Sequence, residues 1–248
     1  MSTQNIRTII MAAGTSQRLR PLTEDIPKTL LTLGEKSILE HILDAAVKSG
    51  LQHFDIVTGH GHPAVEEAAL DYTTRHPEVN INLIYNDKFD SAGNVVSMRA
   101  AEEVFDENFI LINSDTIFHA DILKRLVESE HENAMVIDDF KELGEEEMKV
   151  TIDADENITR VHKSLNPKES HGEYIGVLKL SKNVKDRLLA SLDKTIAHDN
   201  SLYYEDGIQQ MIEDHGVLIK PISTMGLPAM EIDTHEDLAD AEELIKEM

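Results

Sequence analysis

The first residues equipped for chemistry stand close together near the amino terminus, in IIMAAGTSQRLRPLTEDIPK. From Met11 through Ala12, Ala13 and Gly14 the side chains become small enough for a ligand to reach the backbone. Thr15 and Ser16 add hydroxyls, and a chain that turns here can aim several N–H groups at an anion. Arg18 and Lys28 supply two fixed cations, while Pro21 and Pro27 stiffen the loop between them. This is chemistry for a polyphosphate, and a triphosphate suits it. An acidic counterpart lies farther on, Asp115 in FILINSDTIF. A carboxylate at the carboxyl end of an apolar strand opens onto the crevice where open α/β sheets bind ligands, and there it can hold a hard cation. Its other possible use is to cap the helix beginning near Ala120, but Asp121 is available for that.

These groups must be positioned by alternating strands and helices. Ile6 to Met11 is a short apolar, β-branched run, as expected of a strand covered on both faces. Ser37 to Lys48 carries a helical stripe of Ile38, Ile42, Leu43, Ala46 and Val47, and Phe54 to Val57 reads as the next strand. A helix follows Pro63, then a strand from Val79 to Tyr85. This β-α-β-α-β order opens a doubly wound α/β sheet. Further strands are predicted at Phe109 to Asn113, Ala134 to Ile137, Tyr174 to Leu180 and Val217 to Ile222. Met148 to Ile152 and Ile158 to Val161 alternate around Asp153 to Asn157 as a hairpin or meander. The expectation is one domain over residues 1–248, with a mostly parallel mixed sheet and a small β extension.

The string MAAGTSQRLRPLTEDIPKTLLTLGEKSILEHIL resembles the signature AAGxGxRLxPLTxxxPKxLxxxxxxPLIxxxI of the sugar-phosphate nucleotidyltransferase superfamily, which joins a nucleoside triphosphate to a phosphorylated sugar or alcohol. Ser16 and Gln17 depart from the second glycine or serine usual there, without removing a charge. The resemblance puts Arg18 and Lys28 on the triphosphate and the backbone from Met11 to Ser16 around the nucleotide. Asn86 to Met98 resembles the NxxYxxxNNxxSL segment of cytidylyltransferases. Asn94 and Ser97 match it, and Ser91-Ala92-Gly93 depart from its first paired Asn. Recognition of the pyrimidine by Asn86, Ala92, Gly93, Asn94 and Ser97, with Ser114 nearby, is implied; ordinary helix capping is the alternative for a loop of this composition.

The same resemblance makes Asp115 a magnesium ligand. EIDTHEDLADAEELI looks like the family's closing signature, in which Thr234 caps a helix with Asp237 and leaves Asp233 as the second carboxylate on Mg²⁺. Lys163 occupies the place of the lysine that contacts the acceptor phosphate, and Lys149 matches a lysine of the alcohol-phosphate branch; a lysine on a strand otherwise marks a solvated face. Glu173 and Tyr174 begin a strand similar to the one that closes over the acceptor. Tyr203, Tyr204 and Glu205 open a helix. They fit either packing and helix-end electrostatics or an aromatic and acidic wall for an ammonium group. Residues 1–140 would then bind nucleotide and 141–248 the acceptor.

With 47 acidic and 23 basic residues the net charge is −24, which argues against a nucleic-acid surface. Without cysteine there is neither a disulfide framework nor a thiolate metal site, and the twelve histidines show no zinc spacing. No secretory or membrane-length apolar run appears, so the chain reads as soluble and cytoplasmic, free of membrane partners. A homodimer is compatible with the sequence. The expected activity is Mg²⁺-dependent transfer of CMP from CTP to a small phosphorylated alcohol or phosphonate, such as phosphocholine or 2-aminoethylphosphonate. Two alternatives are a hexose-1-phosphate nucleotidyltransferase using UTP or dTTP, and a non-catalytic nucleotide-binding module. The latter would most readily have lost Lys28, Asp115 or Asp233.

Overall fold

The computed structural model describes residues 6–248. Its centre is a parallel set of four strands, β1 (Arg7–Ala12), β4 (His53–Thr58), β5 (Asn80–Tyr85) and β6 (Phe109–Asn113), in the order β6-β1-β4-β5. Successive side chains of β1 go to opposite faces. Ile10 joins one apolar cluster with Leu39, Ile42 and Leu43 of α1 (Ile38–Lys48) and Leu123 and Leu126 of α4 (Ala120–Glu128). Ile9 and Met11 join the other, with Val95 and Met98 of α3 (Asn94–Ala100), Leu188 and Leu192 of α5 (Lys185–His198), and Ile208 and Met211 of α6 (Tyr204–His215). Helices therefore cover both faces, with α2 (His62–Arg75) following β4.

The remaining strands extend the sheet from β6. Strand β11 (Gly172–Leu180) lies antiparallel to β6, and β8 (Ala134–Asp138), β9 (Lys149–Ile152) and β10 (Ile158–His162) build outward from it, with β12 (Lys220–Ser223) parallel to β8. The expected hairpin is thus present as β9 and β10. Two short pairs lie outside this sheet: β2 (Thr32–Leu33) with β3 (Lys36–Ser37), and β7 (Thr116–Phe118) with β13 (Ala229–Glu231). The second pair is decisive for the site. It runs antiparallel, and Ile232 N–H donates to the Asp115 carbonyl at 2.9 Å, so the chain after β13 is fastened beside the end of β6.

Local signals explain the helix starts. Ser37 and Glu40 form a capping box on α1, and Thr234 and Asp237 form the expected one on α7 (His235–Leu244). At α4 the cap is His119, whose ring nitrogen accepts from Asp121 N–H, so Asp121 sits in the first turn rather than at the cap. Helix α3 begins after Gly93 with no side-chain cap. Among the described residues no helix is long and apolar enough to cross a membrane.

Strand β11 carries an irregularity between Tyr174 and Leu178, where Gly176 has φ +76°. A Cβ there would lie 2.6 Å from the Asn113 amide nitrogen, so glycine is required twice, for the dihedral and for the space. Gly216, φ +58°, has nothing within 4 Å of its notional Cβ. Gly216→Ala should therefore show only the dihedral cost of about 1–2 kcal/mol. Gly176→Ala should add the displacement of Asn113, lowering the melting temperature by a further ~2–4 °C for each additional kcal/mol. Equal melting shifts for the two variants would show that Asn113 yields freely.

Candidate active site

The loop after β1 is held open for a ligand by its own anchors. Ser16 adopts a left-handed conformation, φ 46°, and its carbonyl accepts from the Thr23 hydroxyl at 2.8 Å. Leu19 is fully buried, which fixes the short turn Gln17–Leu19 and leaves Arg18 outside. Pro27 then delivers Lys28 into a buried position. The Lys28 ammonium donates to Asp115 Oδ2 at 2.7 Å, Asp233 Oδ1 at 2.9 Å and the Ile232 carbonyl at 2.9 Å. Arg18 Nη2 donates to Asp233 Oδ2 at 2.9 Å. Burial acts to lower the Lys28 pKa, but the two carboxylates outweigh it and the ammonium is held above its usual value. Asp233 is held below the usual carboxylate range, because Lys28, Arg18 and Lys163 outweigh its own desolvation.

Asp115 Oδ1 is buried without a hydrogen-bond partner. An orphaned carboxylate oxygen beside a second carboxylate fits a hard cation. Among the described residues no group of three or more His, Asp or Glu is set to hold a metal unaided. Two carboxylates suit magnesium, which takes its remaining ligands from phosphate and water.

Two concavities meet at these carboxylates. One is lined by Met11 to Gly14, Ser16, Lys28, Asn94 and Ser97, with Asn113, Ser114 and Asp115 at the end of β6. The other is lined by Arg18, Asp233, Lys141, Lys163, Glu173 and Glu231. Residues 7–151 match the family model described as Nucleotidyl transferase. The chain belongs to the nucleotidyl transferase family. Among relatives, the bifunctional protein GlmU of Methanocaldococcus jannaschii is 29% identical over 212 residues, 84% of this chain but 47% of that protein. The CTP:phosphoglutamine cytidylyltransferase of Campylobacter jejuni is 24% identical over 232 residues, 85% of this chain and 89% of that one. The solved inositol-1-phosphate CTP transferase from T. maritima shares the fold with a TM-score of 0.81, at 22% identity, covering 99% of this chain and 98% of that one. This nucleotidyl transferase is therefore an enzyme of that family with cytidylyltransferase homologues, and its mixed α/β fold is theirs.

Several predicted nucleotide residues of this nucleotidyl transferase lie behind the first concavity rather than on its wall. Asn86 is buried and donates to the Ser97 hydroxyl at 2.9 Å, so it supports a lining residue from beneath. Gly93 N–H donates to the Asn200 carbonyl at 2.7 Å, and a Cβ there would collide with the Leu202 carbonyl. That contact accounts for glycine where the family segment has Asn. Thr15 and Ala92 are half-buried and do not line the concavity. Asn94 does not cap its own helix; its side-chain oxygen accepts from Tyr204 N–H, at the start of α6, at 2.7 Å.

Among the residues expected to meet an acceptor, the structure corrects three expectations. Lys149 cannot reach an acceptor, because it is fully buried and its ammonium donates to the carbonyls of Gly144, Glu145 and Glu147 at 2.9–3.1 Å. Tyr174 and Tyr204 offer no face to a ligand; both are buried, their hydroxyls bond each other at 2.9 Å, and Tyr204 also donates to Asn113 Oδ1 at 2.9 Å. Tyr203 is exposed, but its ring already faces the Lys163 ammonium at 5.5 Å. Glu173 lies in the second concavity and accepts from Lys141 at 2.8 Å. Other lining residues, among them Asn113 and Lys141, carry no mark in the sequence pattern that singles them out as lining. Glu231 shares the alternate position of EID with Asp233, the one signal that could have marked it. Burial, then Asp115, Glu173 and Asp233, push its carboxyl well above the usual range.

Glu205 is buried with Oε2 unpartnered. Burial raises its pKa from 4.5 to about 7. A carboxyl raised in the folded state disfavours folding once ionised, so stability should fall as pH rises from 4.5 to about 7 and then level. The loss is on the order of 3 kcal/mol at most. Thermal melts of wild type against Glu205→Gln across this window should converge toward acid and separate, with the variant more stable, toward neutral pH. A constant difference would place Glu205 in a wetter setting than its burial implies.

Proposed function

We propose that this enzyme is a magnesium-dependent cytidylyltransferase, transferring CMP from CTP to a small phosphorylated alcohol or phosphonate with release of pyrophosphate. The observation that carries this reading is the Lys28 ammonium on both Asp115 and Asp233, beside the small-residue loop and between two concavities. An acceptor oxygen forms a bond to the α-phosphorus of the nucleotide, and the bond to the β-phosphate oxygen breaks in line, its electron pair leaving with pyrophosphate. The nucleophile is already an anion and needs no general base. The obstacle is repulsion between anions, and then charge on the leaving group.

Bound magnesium would neutralise charge on the phosphates, held by Asp115 and Asp233. Lys28 and Arg18 stand where they can offset charge on the departing pyrophosphate, and Lys163 where it can bind the acceptor anion. Asn94 and Ser97 on the wall of the first concavity, together with the cytidylyltransferase relatives, support a pyrimidine. The second concavity combines the cations Arg18, Lys141 and Lys163 with Glu146, Glu147, Glu173 and Glu231. Charges of both signs suit an acceptor anionic at one end and cationic at the other, an aminoalkyl phosphate or phosphonate. With Tyr174 and Tyr204 buried, carboxylates rather than aromatic faces would meet the cation.

Asp115→Ala and Asp233→Ala should each lower kcat by at least about 10²-fold while the protein stays folded, and EDTA should do the same. Near wild-type kcat in either variant at saturating Mg²⁺ would remove the two-carboxylate site. Lys28→Ala should weaken CTP binding measured without acceptor, whereas Lys163→Ala should leave it unchanged and raise the acceptor KM. Pyrophosphate release over four nucleotides should favour CTP. Phosphocholine and 2-aminoethylphosphonate should exceed inositol phosphate and glucose 1-phosphate in kcat/KM by roughly tenfold or more, an effect of one desolvated charge contact. If Glu173→Gln leaves that gap intact, the carboxylates do not select the amine; preference for UTP with glucose 1-phosphate would favour the hexose-1-phosphate reading.

A further inference from the structure

Ten residues, 139–148, join β8 to β9 without helix or strand, yet they carry Lys141, Glu146 and Glu147 onto the wall of the second concavity. A segment of this kind has little of its own to hold its shape. What fixes it is Lys149, the first residue of β9. Its ammonium is fully buried, no carboxylate among the described residues is bonded to it, and its three donors go to the carbonyls of Gly144, Glu145 and Glu147, at 3.1, 2.9 and 3.0 Å. A lysine ammonium has three N–H bonds, so all are used. A buried cation is costly unless dipoles surround it, and the turn is thereby bound to the one place where three carbonyls can converge on the charge. The turn is closed from its outer side by Glu147, whose Oε2 accepts from Gly144 N–H at 2.8 Å and whose Oε1 lies 3.6 Å from the Lys141 ammonium. Lys141 in turn pairs with Glu173 on β11 at 2.8 Å.

We infer that Lys149 is a positioning residue for the acceptor: from beneath the 139–148 turn its ammonium sets where Lys141, Glu146 and Glu147 stand, and so sets how tightly the second concavity holds its ligand. The inference rests on the second concavity being the acceptor side. Lys149 itself lines neither concavity and reaches the second only through the turn it holds. A strand lysine that looks solvated in sequence is here the inner support of a recognition loop.

The test compares wild type, Lys149→Met and Lys149→Arg, with CTP and the acceptor that wild type uses best. Lys149→Met keeps the length and apolar stem but leaves three carbonyls without their donor. Its acceptor KM should rise by about tenfold or more, while its CTP KM stays within about twofold. Lys149→Arg keeps the charge and several donors, and should recover much of the acceptor KM. Hydrogen exchange at the amides of residues 140–148 should quicken in Lys149→Met and not at those of residues 12–19. A purely structural lysine would move both KM values together or melt the protein. Should Lys149→Met not fold, Lys149→Arg and Lys149→Gln carry the same comparison. Unchanged acceptor KM in a folded variant with faster exchange at 140–148 overturns the inference, as does exchange that does not change. Wild type that transfers to no acceptor overturns instead the assignment of the second concavity, and the inference with it.

Discussion

Two carboxylates and one ammonium set the terms for this molecule. Asp115 and Asp233 arrive from chain segments far apart in sequence, and both rest on the Lys28 ammonium within 2.9 Å. Without a cation between them they would repel; unit charges about 4 Å apart at an effective dielectric near 20 interact by roughly 4 kcal/mol. Lys28 is buried, so it too requires them. Each group would be expensive alone in this position, and together they make a site that is charged and already arranged, with the lysine buried and the carboxylates part-exposed. In a chain of net charge −24 the local cations carry unusual weight, because the surrounding field favours no anion.

The topology is built to keep those groups in reach. Parallel strands β1, β4, β5 and β6 end along one edge, which places the small-residue loop and Asp115 side by side. The sheet alone would leave Asp233 unassigned. It is brought in by the short β7 and β13 ladder and by the bond from Ile232 N–H to the Asp115 carbonyl, and Thr234 and Asp237 then start α7 directly behind it. The backbone at Asp233 is thus fixed on both sides while its carboxylate reaches Lys28 and Arg18.

Much of this was legible in the sequence because it rests on local chemistry. The β-branched run before AAG, the period of α1, the capping pair of α7 and an aspartate at the end of an apolar strand are each set by neighbours along the chain. The missed features depend on neighbours across space. Three-residue strands such as β7 and β13 are too short to show a period. Lys149 alternates in sequence like a solvated strand residue, yet it is fully buried and bound to carbonyls of the loop before it. Tyr204 stands beside two acids, as an exposed wall would, yet its ring is in the core, and Glu231 is charged by sequence but crowded by Asp115, Glu173 and Asp233. Pattern identifies that a residue is polar or aromatic; only packing decides whether it faces a ligand or supports one that does.

Tyr204 is a support of this kind for the first concavity. Its N–H is accepted by Asn94, a lining residue of the first concavity, and its hydroxyl is accepted by Asn113, another. The next residue, Glu205, is buried within the field of Lys163, and Tyr203 stacks beneath that same lysine. Gly93 ties the loop of the first concavity to residues 200–202 through a bond and a contact that excludes any side chain. The start of α6 is therefore common ground for the groups of both concavities. Residues that share a support do not respond independently when it is altered. A change at the start of α6 therefore reaches Asn94 of α3 on the first concavity as well as Lys163 on the second.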